Sequence, residues 1–358
     1  MLQNCLRSFA ISLTALIISL SAWAQSPAAP ADLDSYVAAS MKTFDVPGIA
    51  VAIVKDGKIV VGKGYGARKL GEATPVDEFT MFGIGSNTKA FTTTALAMLI
   101  DEGKLSWDDP VYQRLPGFVM YYPFISHEMT IRDLLTHRSG MGLGEGDLLV
   151  FPHKTYTREE TIYKLRFMKP ASSFRSRYAY DNLLYVTAGQ IIPAVTGTSW
   201  DDYIRLHIFG PLGMNHSNVS TTLYKNGDNY AYPHSRVDGK LQVVVFESLD
   251  NAGPAGAINS CAADMAKWVR LQLNRGKFVD RMAISSPSNN PKRCGPRRRF
   301  CRLAILRRRL PGSDRTLLTT PLAGDCATIT DGSSSATPAA FPASCRESCW
   351  YRKKTLEL

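Results

Sequence analysis

The chain has 358 residues, 45% hydrophobic and 20% charged, with 27 Gly, 20 Pro and 7 Cys. That is enough apolar material for one large domain or two smaller ones, and it excludes disorder throughout, a collagen-like repeat and a disulfide-framed miniprotein. The net charge of +11 would by itself suggest a polyanionic partner. However, residues 291–358 carry 14 Lys/Arg and 5 Asp/Glu, whereas residues 1–290 carry 28 basic and 26 acidic side chains. The body is close to neutral, and no nucleic-acid partner is expected for it.

Residues 1–24 read as a secretory signal peptide. Arg7 supplies a positive start, Phe9–Leu20 an apolar run and Ala22-Trp23-Ala24 a small-x-small cleavage signal. The run is short for a membrane span and is followed by the Ala/Pro-rich stretch Ser26–Ala31. The expectation is cleavage near Ala24, a periplasmic or secreted product and no stable membrane anchor. Cys5 stands too early to carry a lipid.

Asp32–Phe44 has the pattern of an amphipathic helix closed by Val46-Pro47-Gly48. Two β runs follow, Ile49–Val54 and Lys58–Tyr65, joined by Lys55-Asp56-Gly57, where Asp-Gly signals a hairpin turn. Gly62-x-Gly64-x-Gly66 resembles a phosphate loop only in spacing, because it lies inside a strand and opens no helix. Phe82–Gly85 leads into a helix over Ser86–Glu102, stopped by Gly103. From Trp107 to about Pro211, short helices punctuated by Pro and Gly dominate. Leu241–Phe246 returns to β character, and Ser260–Asn274 reads as a helix with Ser260 as N-cap and Gly276 as stop. This order predicts an α/β (α+β type) fold over residues 32–285: an antiparallel sheet flanked by helices, with a mostly helical insertion at about 107–230.

After Ser286 the apolar periodicity collapses. Pro291–Arg309 holds eight Arg, and five of the seven Cys (Cys294, Cys301, Cys326, Cys345, Cys349) lie in the tail, leaving Cys5 in the leader and Cys261 alone in the body. Two readings fit 286–358: a basic tail, or a translation that has left its reading frame. The Arg, Pro, Ala, Ser and Cys content favours the second. No C-x-x-C, H-E-x-x-H or Cys/His cluster has zinc spacing, so neither metal nor cofactor is expected.

Ser86-Asn87-Thr88-Lys89 is the one S-x-x-K of the chain. An N-cap serine followed by a solvated lysine would give the same letters. The placement at a helix mouth adds chemistry: the hydroxyl feels the positive end of the helix dipole, and a lysine three residues on is its neighbour. Such an amine can help remove the serine proton. Tyr180-Asp181-Asn182 is a second candidate element. Residues i and i+2 share a side only in extended backbone, so Tyr180 and Asn182 face one pocket only if the helix starts near Asn182; it would then run to Val195 with Gly197 as stop.

Phe79–Phe91 with Asp101–Pro110, Met129–Met141 (containing Leu135-Thr136-His137-Arg138-Ser139-Gly140), Tyr180-Asp181-Asn182, Pro211–Met214 and Gly253–Trp268 together resemble the serine β-lactamase and penicillin-binding protein family. The likeness is to its class C-related branch, which includes D-alanyl-D-alanine carboxypeptidases and β-lactamase-like esterases, and it covers about Leu33 to Ala283. The resemblance implies that Ser86 is the acyl-accepting nucleophile and that Lys89 eases its deprotonation. Tyr180 acts as, or shares, the general base and returns the proton to the leaving group. Asn182 orients the substrate, and the Ser86 N–H is one oxyanion donor. The implied partner is a small molecule or a peptidoglycan peptide: a β-lactam, a D-alanyl peptide or an ester. A third motif, K-T-G or H-x-G on a late strand, should follow residue 290. Neither is there, so the late strands of the sheet are expected to be missing or out of frame. The alternatives kept open are a non-turnover penicillin-binding or sensing protein and an inactive truncated homologue. A basic-tail binder of anionic surfaces or nucleic acid through Arg297–Arg299 and Arg307–Arg309 is a further, non-catalytic possibility.

Overall fold

A computed structural model describes residues 29–151 and 156–278, with further strand segments at 281–282, 306–309, 315–319 and 328–331. The signal-peptide segment and most of the tail, with the reading-frame question, lie outside the described residues. Helix α1 (Leu33–Phe44) ends where Asp45 adopts the left-handed conformation, turning the chain into β1 (Gly48–Lys55). β1 pairs antiparallel with β2 (Lys58–Gly66). The two-residue turn has Asp56 at φ 51° and Gly57 at φ 73°, the double positive φ that a type I′ turn requires. A Cβ on Gly57 would meet nothing within 4 Å, so Gly57→Val carries only the backbone penalty of the left-handed region. The expected cost is about 1–2 kcal/mol, read as a drop in Tm.

The glycines of β2 have a packing role. A Cβ on Gly64 would stand 2.2 Å from the Val76 carbonyl oxygen, and one on Gly66 2.2 Å from that of Pro47. The returning segment therefore crosses the hairpin backbone to backbone. On the hairpin's other side Leu33 and Val37 of α1 pack on Ile53, with Met41, Ile49, Val51, Val60, Val61 and Tyr65 around them.

β3 (Phe82–Gly83) precedes a 3-10 turn, Gly85–Asn87, and helix α2 (Thr88–Asp101). Gly103 then takes φ 73°, as a helix stop does. Short helices follow: α3 (Val111–Arg114), α4 (Pro123–Glu128), α5 (Ile131–Leu135) and α6 (Arg158–Lys164). Both α5 and α6 open on capping boxes, Thr130 with Asp133 and Thr157 with Glu160. Helix α7 (Leu183–Thr196) closes on Gly197 at φ 71°, and α8 (Trp200–Ile204) and α9 (Gly210–Leu212) complete the helical block. A hairpin of β4 (His234–Val237) and β5 (Lys240–Val243) leads to α10 (Gly253–Gly256), β6 (Asn259–Ser260) and α11 (Ala262–Leu273). β6 returns to β3 with Phe82 opposite Ser260 and Gly83 opposite Asn259. The larger core lies between α2, α7, α8 and α11: Phe91, Leu96, Leu99, Leu183, Leu184 and Trp200 are fully buried, and Phe91 stacks on Trp268 at 3.9 Å.

Two local expectations shift. The N-cap of α11 is Cys261, not Ser260, because Ser260 is held in β6 and its Oγ lies 2.8 Å from the Ser217 hydroxyl. The strand expected over Leu241–Phe246 ends at Val243; Phe246 turns instead into an aromatic cluster with Tyr224, Tyr230 and Tyr232. In the tail, β9 (Leu306–Arg309), β10 (Arg315–Thr319) and β11 (Thr328–Asp331) follow β7 (Lys277–Phe278) and β8 (Arg281–Met282) and form their own antiparallel sheet. β11 approaches β1 to within 8 Å between Cα atoms, yet among the described residues it pairs with β10 alone and the β1–β2 sheet is two-stranded. Among the described residues no helix is long and apolar enough to cross a membrane.

Candidate active site

Ser86 sits half-buried in the 3-10 turn at the mouth of α2, and Lys89 lies in the first turn of α2. One helical step thus brings the Lys89 amine 3.0 Å from the Ser86 Oγ. Tyr180 arrives from the non-helical residues ahead of α7 and donates its hydroxyl to the Ser86 Oγ at 2.7 Å. Asn182 is the N-cap position of α7, and its Oδ1 accepts from Lys89 Nζ at 2.7 Å. All four residues singled out in the sequence therefore share one hydrogen-bonded cluster, and Tyr180 and Asn182 both lie ahead of Leu183, the first residue of α7, with residues 180–181 outside any helix.

The cluster includes groups that sequence reasoning did not select. The Ala255 carbonyl of α10 accepts from Lys89 Nζ at 2.9 Å. Asp147, in the 3-10 turn Asp147–Leu149, accepts from Asn182 Nδ2 at 3.0 Å. His137, held at φ 54°, stacks on the Tyr180 ring with centroids 4.4 Å apart, and its Nδ1 accepts from the Asp181 N–H at 3.1 Å. Ala255 acts through its backbone and leaves no trace in residue type. Asp147 lies in a glycine-rich loop with no local motif. His137 was visible within the family-like segment, but nothing in its letters showed that it would stack on Tyr180.

The electrostatics follow from burial. Lys89 is 6% exposed; desolvation drives its pKa down to about 7, opposed by the carboxylates of Asp147 and Asp181. The same burial pushes the Tyr180 phenol up to about 12, the Ser86 hydrogen bond pulling the other way. Asp181 is fully buried and pushed up to about 7 by desolvation, and one of its carboxyl oxygens has no hydrogen-bond partner among the described residues. His137 falls to about 3 through desolvation and the nearby Lys89, so its ring is neutral at physiological pH. The Lys89 Nζ also lies 4.7 Å from the Tyr180 ring centroid and 5.3 Å from that of Tyr185.

The placement of α10 is tightly determined. Thr92 of α2 donates to the Pro254 carbonyl at 2.7 Å, and Trp200 Nε1 donates to Thr92 at 3.0 Å. Gly189 of α7 admits the Pro254 ring, whose Cγ would lie 2.2 Å from any Cβ there. Gly189→Val is therefore expected to push α10 and its Ala255 carbonyl away from Lys89. Overpacking of this kind costs about 1–3 kcal/mol, measurable by denaturant unfolding.

A mixed α/β body with a serine–lysine–tyrosine cluster at a helix mouth matches a known class of proteins. The family model for Beta-lactamase matches residues 33–305, and the chain belongs to that family. It is 31% identical over 255 residues to unguisins hydrolase ungD of Aspergillus violaceofuscus, covering 68% of this chain and 45% of that protein. It is 30% identical over 250 residues to protein flp of Staphylococcus aureus, covering 68% and 48%. The chain thus spans about half the length of these curated relatives. Among solved structures, the octameric penicillin-binding protein homologue from Pyrococcus abyssi superposes with a TM-score of 0.63 at 32% identity, covering 71% of this chain and 57% of that one. FmtA from Staphylococcus aureus shares the fold, with a TM-score of 0.59 at 22% identity over 73% and 72%.

Proposed function

We propose that the chain is an exported serine hydrolase, with residues 32–285 as its domain and 107–230 as the helical insertion, that forms an acyl-serine on Ser86. The observation that carries this reading is the Ser86 Oγ held at 3.0 Å from the Lys89 amine and 2.7 Å from the Tyr180 hydroxyl. A neutral lysine has two N–H donors and one lone pair. Its partners Asn182 Oδ1 and Ala255 O can only accept. They take both donors, so the lone pair is left for Ser86, whose hydroxyl must then donate to it. The fall of Lys89 to about 7 populates this neutral form at physiological pH, whereas the rise of Tyr180 to about 12 disfavours its phenolate. The base role that the family resemblance gives to Tyr180 is accordingly assigned to Lys89, and Tyr180 is the proton donor.

In the proposed step the Ser86 proton passes to Lys89 as the Oγ–carbon bond forms. The carbonyl–nitrogen or carbonyl–oxygen bond of the substrate breaks, and Tyr180 donates its proton to the leaving atom. The Lys89 cation beside the Tyr180 ring stabilises the resulting phenolate. Water later attacks the acyl carbon and gives one proton to the Tyr180 phenolate. As the ester bond breaks, the Ser86 oxygen takes back the proton held by Lys89, which releases the acid and returns all three side chains to their starting states. The substrate classes in view are β-lactams, D-alanyl peptides and esters. The family supports the first two, and the hydrolase naming of one relative keeps amides and esters beyond β-lactams in range. Lacking a K-T-G or H-x-G after residue 290, the chain also fits a protein that acylates without turning over.

Hydrolysis of a chromogenic cephalosporin and of a short-chain p-nitrophenyl ester tests the reading, with turnover expected from the full chain and lost in Ser86→Ala. Turnover unaffected by that change removes Ser86 from the mechanism. A second result follows from the amine: kcat/KM is expected to rise with pH through about 7 as Lys89 loses its proton. A profile flat between pH 5.5 and 8.5 would contradict Lys89 as the base.

A further inference from the structure

The direction of the Lys89 lone pair depends on which end of the Asn182 amide faces it. With Oδ1 toward the amine, the amide takes one lysine hydrogen. Rotated by half a turn, it would present N–H groups to Lys89, and the neutral amine would have to accept there instead of from Ser86. The two ends of an amide are nearly identical in shape, so the choice is made by the partner at the far end. That partner is Asp147, whose Oδ1 lies 3.0 Å from Asn182 Nδ2. A carboxylate only accepts, and a reversed amide would set oxygen against oxygen.

Asp147 is itself anchored to the site. The Gly144 N–H donates to the Tyr180 carbonyl at 2.8 Å, and the Asp147 N–H donates to the Gly144 carbonyl at 3.1 Å. The Asp147 carbonyl in turn accepts from Val150 and Phe151 at 3.0 and 2.8 Å. Gly144 and Gly146 take φ 66° and 80°, which lets the loop turn tightly enough to present the carboxylate. A Cβ on Gly144 would stand 3.1 Å from the Asp147 Oδ2, so the loop also closes over the side chain it delivers.

We propose that Asp147 is the positioning residue of this site: its carboxylate locks the Asn182 amide with Oδ1 toward Lys89, and so turns the amine's lone pair onto Ser86. The catalytic consequence rests on the acyl-serine reading; the geometry does not. The charged and titratable groups facing Lys89 are Asp147 from its loop, Asp181, Tyr180 and Tyr185 from the start of α7, and His137 from the segment after α5. Its own segment supplies Ser86, and α10 supplies only the Ala255 carbonyl. Asp147 is pushed up by burial and pulled back by Asn182 and Lys89. It is one of the two carboxylates that hold the lysine's proton on.

The test uses the full chain, Asp147→Asn and Asp147→Ala, with circular dichroism as the control for folding. Lys89 is titrated by NMR of its labelled ε-carbon, and acylation of Ser86 is timed across pH with a β-lactam and an activated ester as probes. Asp147→Asn removes the charge and replaces an acceptor-only group by an amide that can turn either end to Asn182. The Lys89 midpoint is therefore expected to move below the wild-type value, and the high-pH acylation rate to fall between those of the wild type and Asp147→Ala. Asp147→Ala frees the amide and is expected to lower that high-pH rate by ~10²-fold, the scale of a misplaced reacting group. Folded variants with an unmoved midpoint and an unchanged high-pH rate overturn the proposal. If Ser86 in the wild type takes no acyl group from any probe, the functional reading fails, and the NMR arm still decides the role of Asp147. In the unmodified protein the Asn182 side-chain N–H protons should exchange slowly with solvent and show nuclear Overhauser contacts to the Asp147 loop, as the bond from Asn182 Nδ2 to Asp147 requires. Amide protons that exchange as fast as those of a solvent-exposed asparagine and show no contact with that loop would overturn the lock even if neither variant folds.

Discussion

Lys89→Met is expected to slow acylation of Ser86 by ~10²–10⁴-fold, the usual contribution of a positioned general base, and to remove the rise of kcat/KM through neutral pH. Methionine fills much of the same volume but offers neither a donor to Asn182 Oδ1 and Ala255 O nor a lone pair to Ser86. The same variant carries a thermodynamic signature independent of any substrate. Burial lowers Lys89 from 10.5 to about 7 in the folded chain. Between those values the unfolded state binds one more proton than the folded state, so wild-type stability rises with pH there by about 1.4 kcal/mol per unit. Below pH 7 both states are protonated and this contribution is absent. Lys89→Met lacks the slope. Its unfolding free energy relative to wild type should therefore fall steadily from pH 7 to 10, as measured by urea unfolding. Parallel pH dependences in the two proteins would mean that Lys89 is not held neutral.

Trp200→Ala is expected to destabilise the body by about 3–5 kcal/mol, as removal of a fully buried aromatic does. Trp200 is 0% exposed and stands where α2, α7, α8 and α10 meet. Its indole N–H is bonded to Thr92, which holds the Pro254 carbonyl, and the Arg158 guanidinium lies 5.6 Å from its ring. Losing the ring therefore empties a core site and removes the N–H that holds the Thr92 hydroxyl toward Pro254, which loosens α10 and the Ala255 carbonyl bonded to Lys89. Trp200→Phe keeps most of the apolar contact and removes only the donor, so a smaller loss of about 1–3 kcal/mol is expected. Chemical denaturation of the two variants distinguishes packing from the hydrogen bond. Equal losses would show that the Thr92 link carries the effect.

Much of this architecture could be read from the letters. The Asp56-Gly57 hairpin and the Gly103 and Gly197 helix stops each rest on a backbone conformation that one or two residue types provide, so local sequence specifies them. The pairs Ser86–Lys89 and Tyr180–Asn182 were legible for a similar reason, since an i,i+3 step on a helix and an i,i+2 step ahead of one fix where side chains point; that the two pairs belong to one site was implied by the family resemblance. What could not be read depends on long-range packing. Asp147 reaches Asn182 only because the loop after His137 folds back on Tyr180, and Ala255 contributes an atom that every residue possesses. The proposed division of labour between Lys89 and Tyr180 was hidden too, because a pKa depends on desolvation in the folded interior. Ser260 misled as an N-cap because strand pairing with Phe82 had already claimed it.

Intact-mass analysis followed by peptide mapping tests the central claim most directly. The full chain is quenched soon after mixing with a β-lactam or an activated ester, beside Ser86→Ala. A single acyl adduct mapped to Ser86, absent from the alanine variant and forming faster as pH rises through neutrality, is the predicted result. An adduct of equal yield in Ser86→Ala, or hydrolysis proceeding while Ser86 stays unmodified and dispensable, would contradict it.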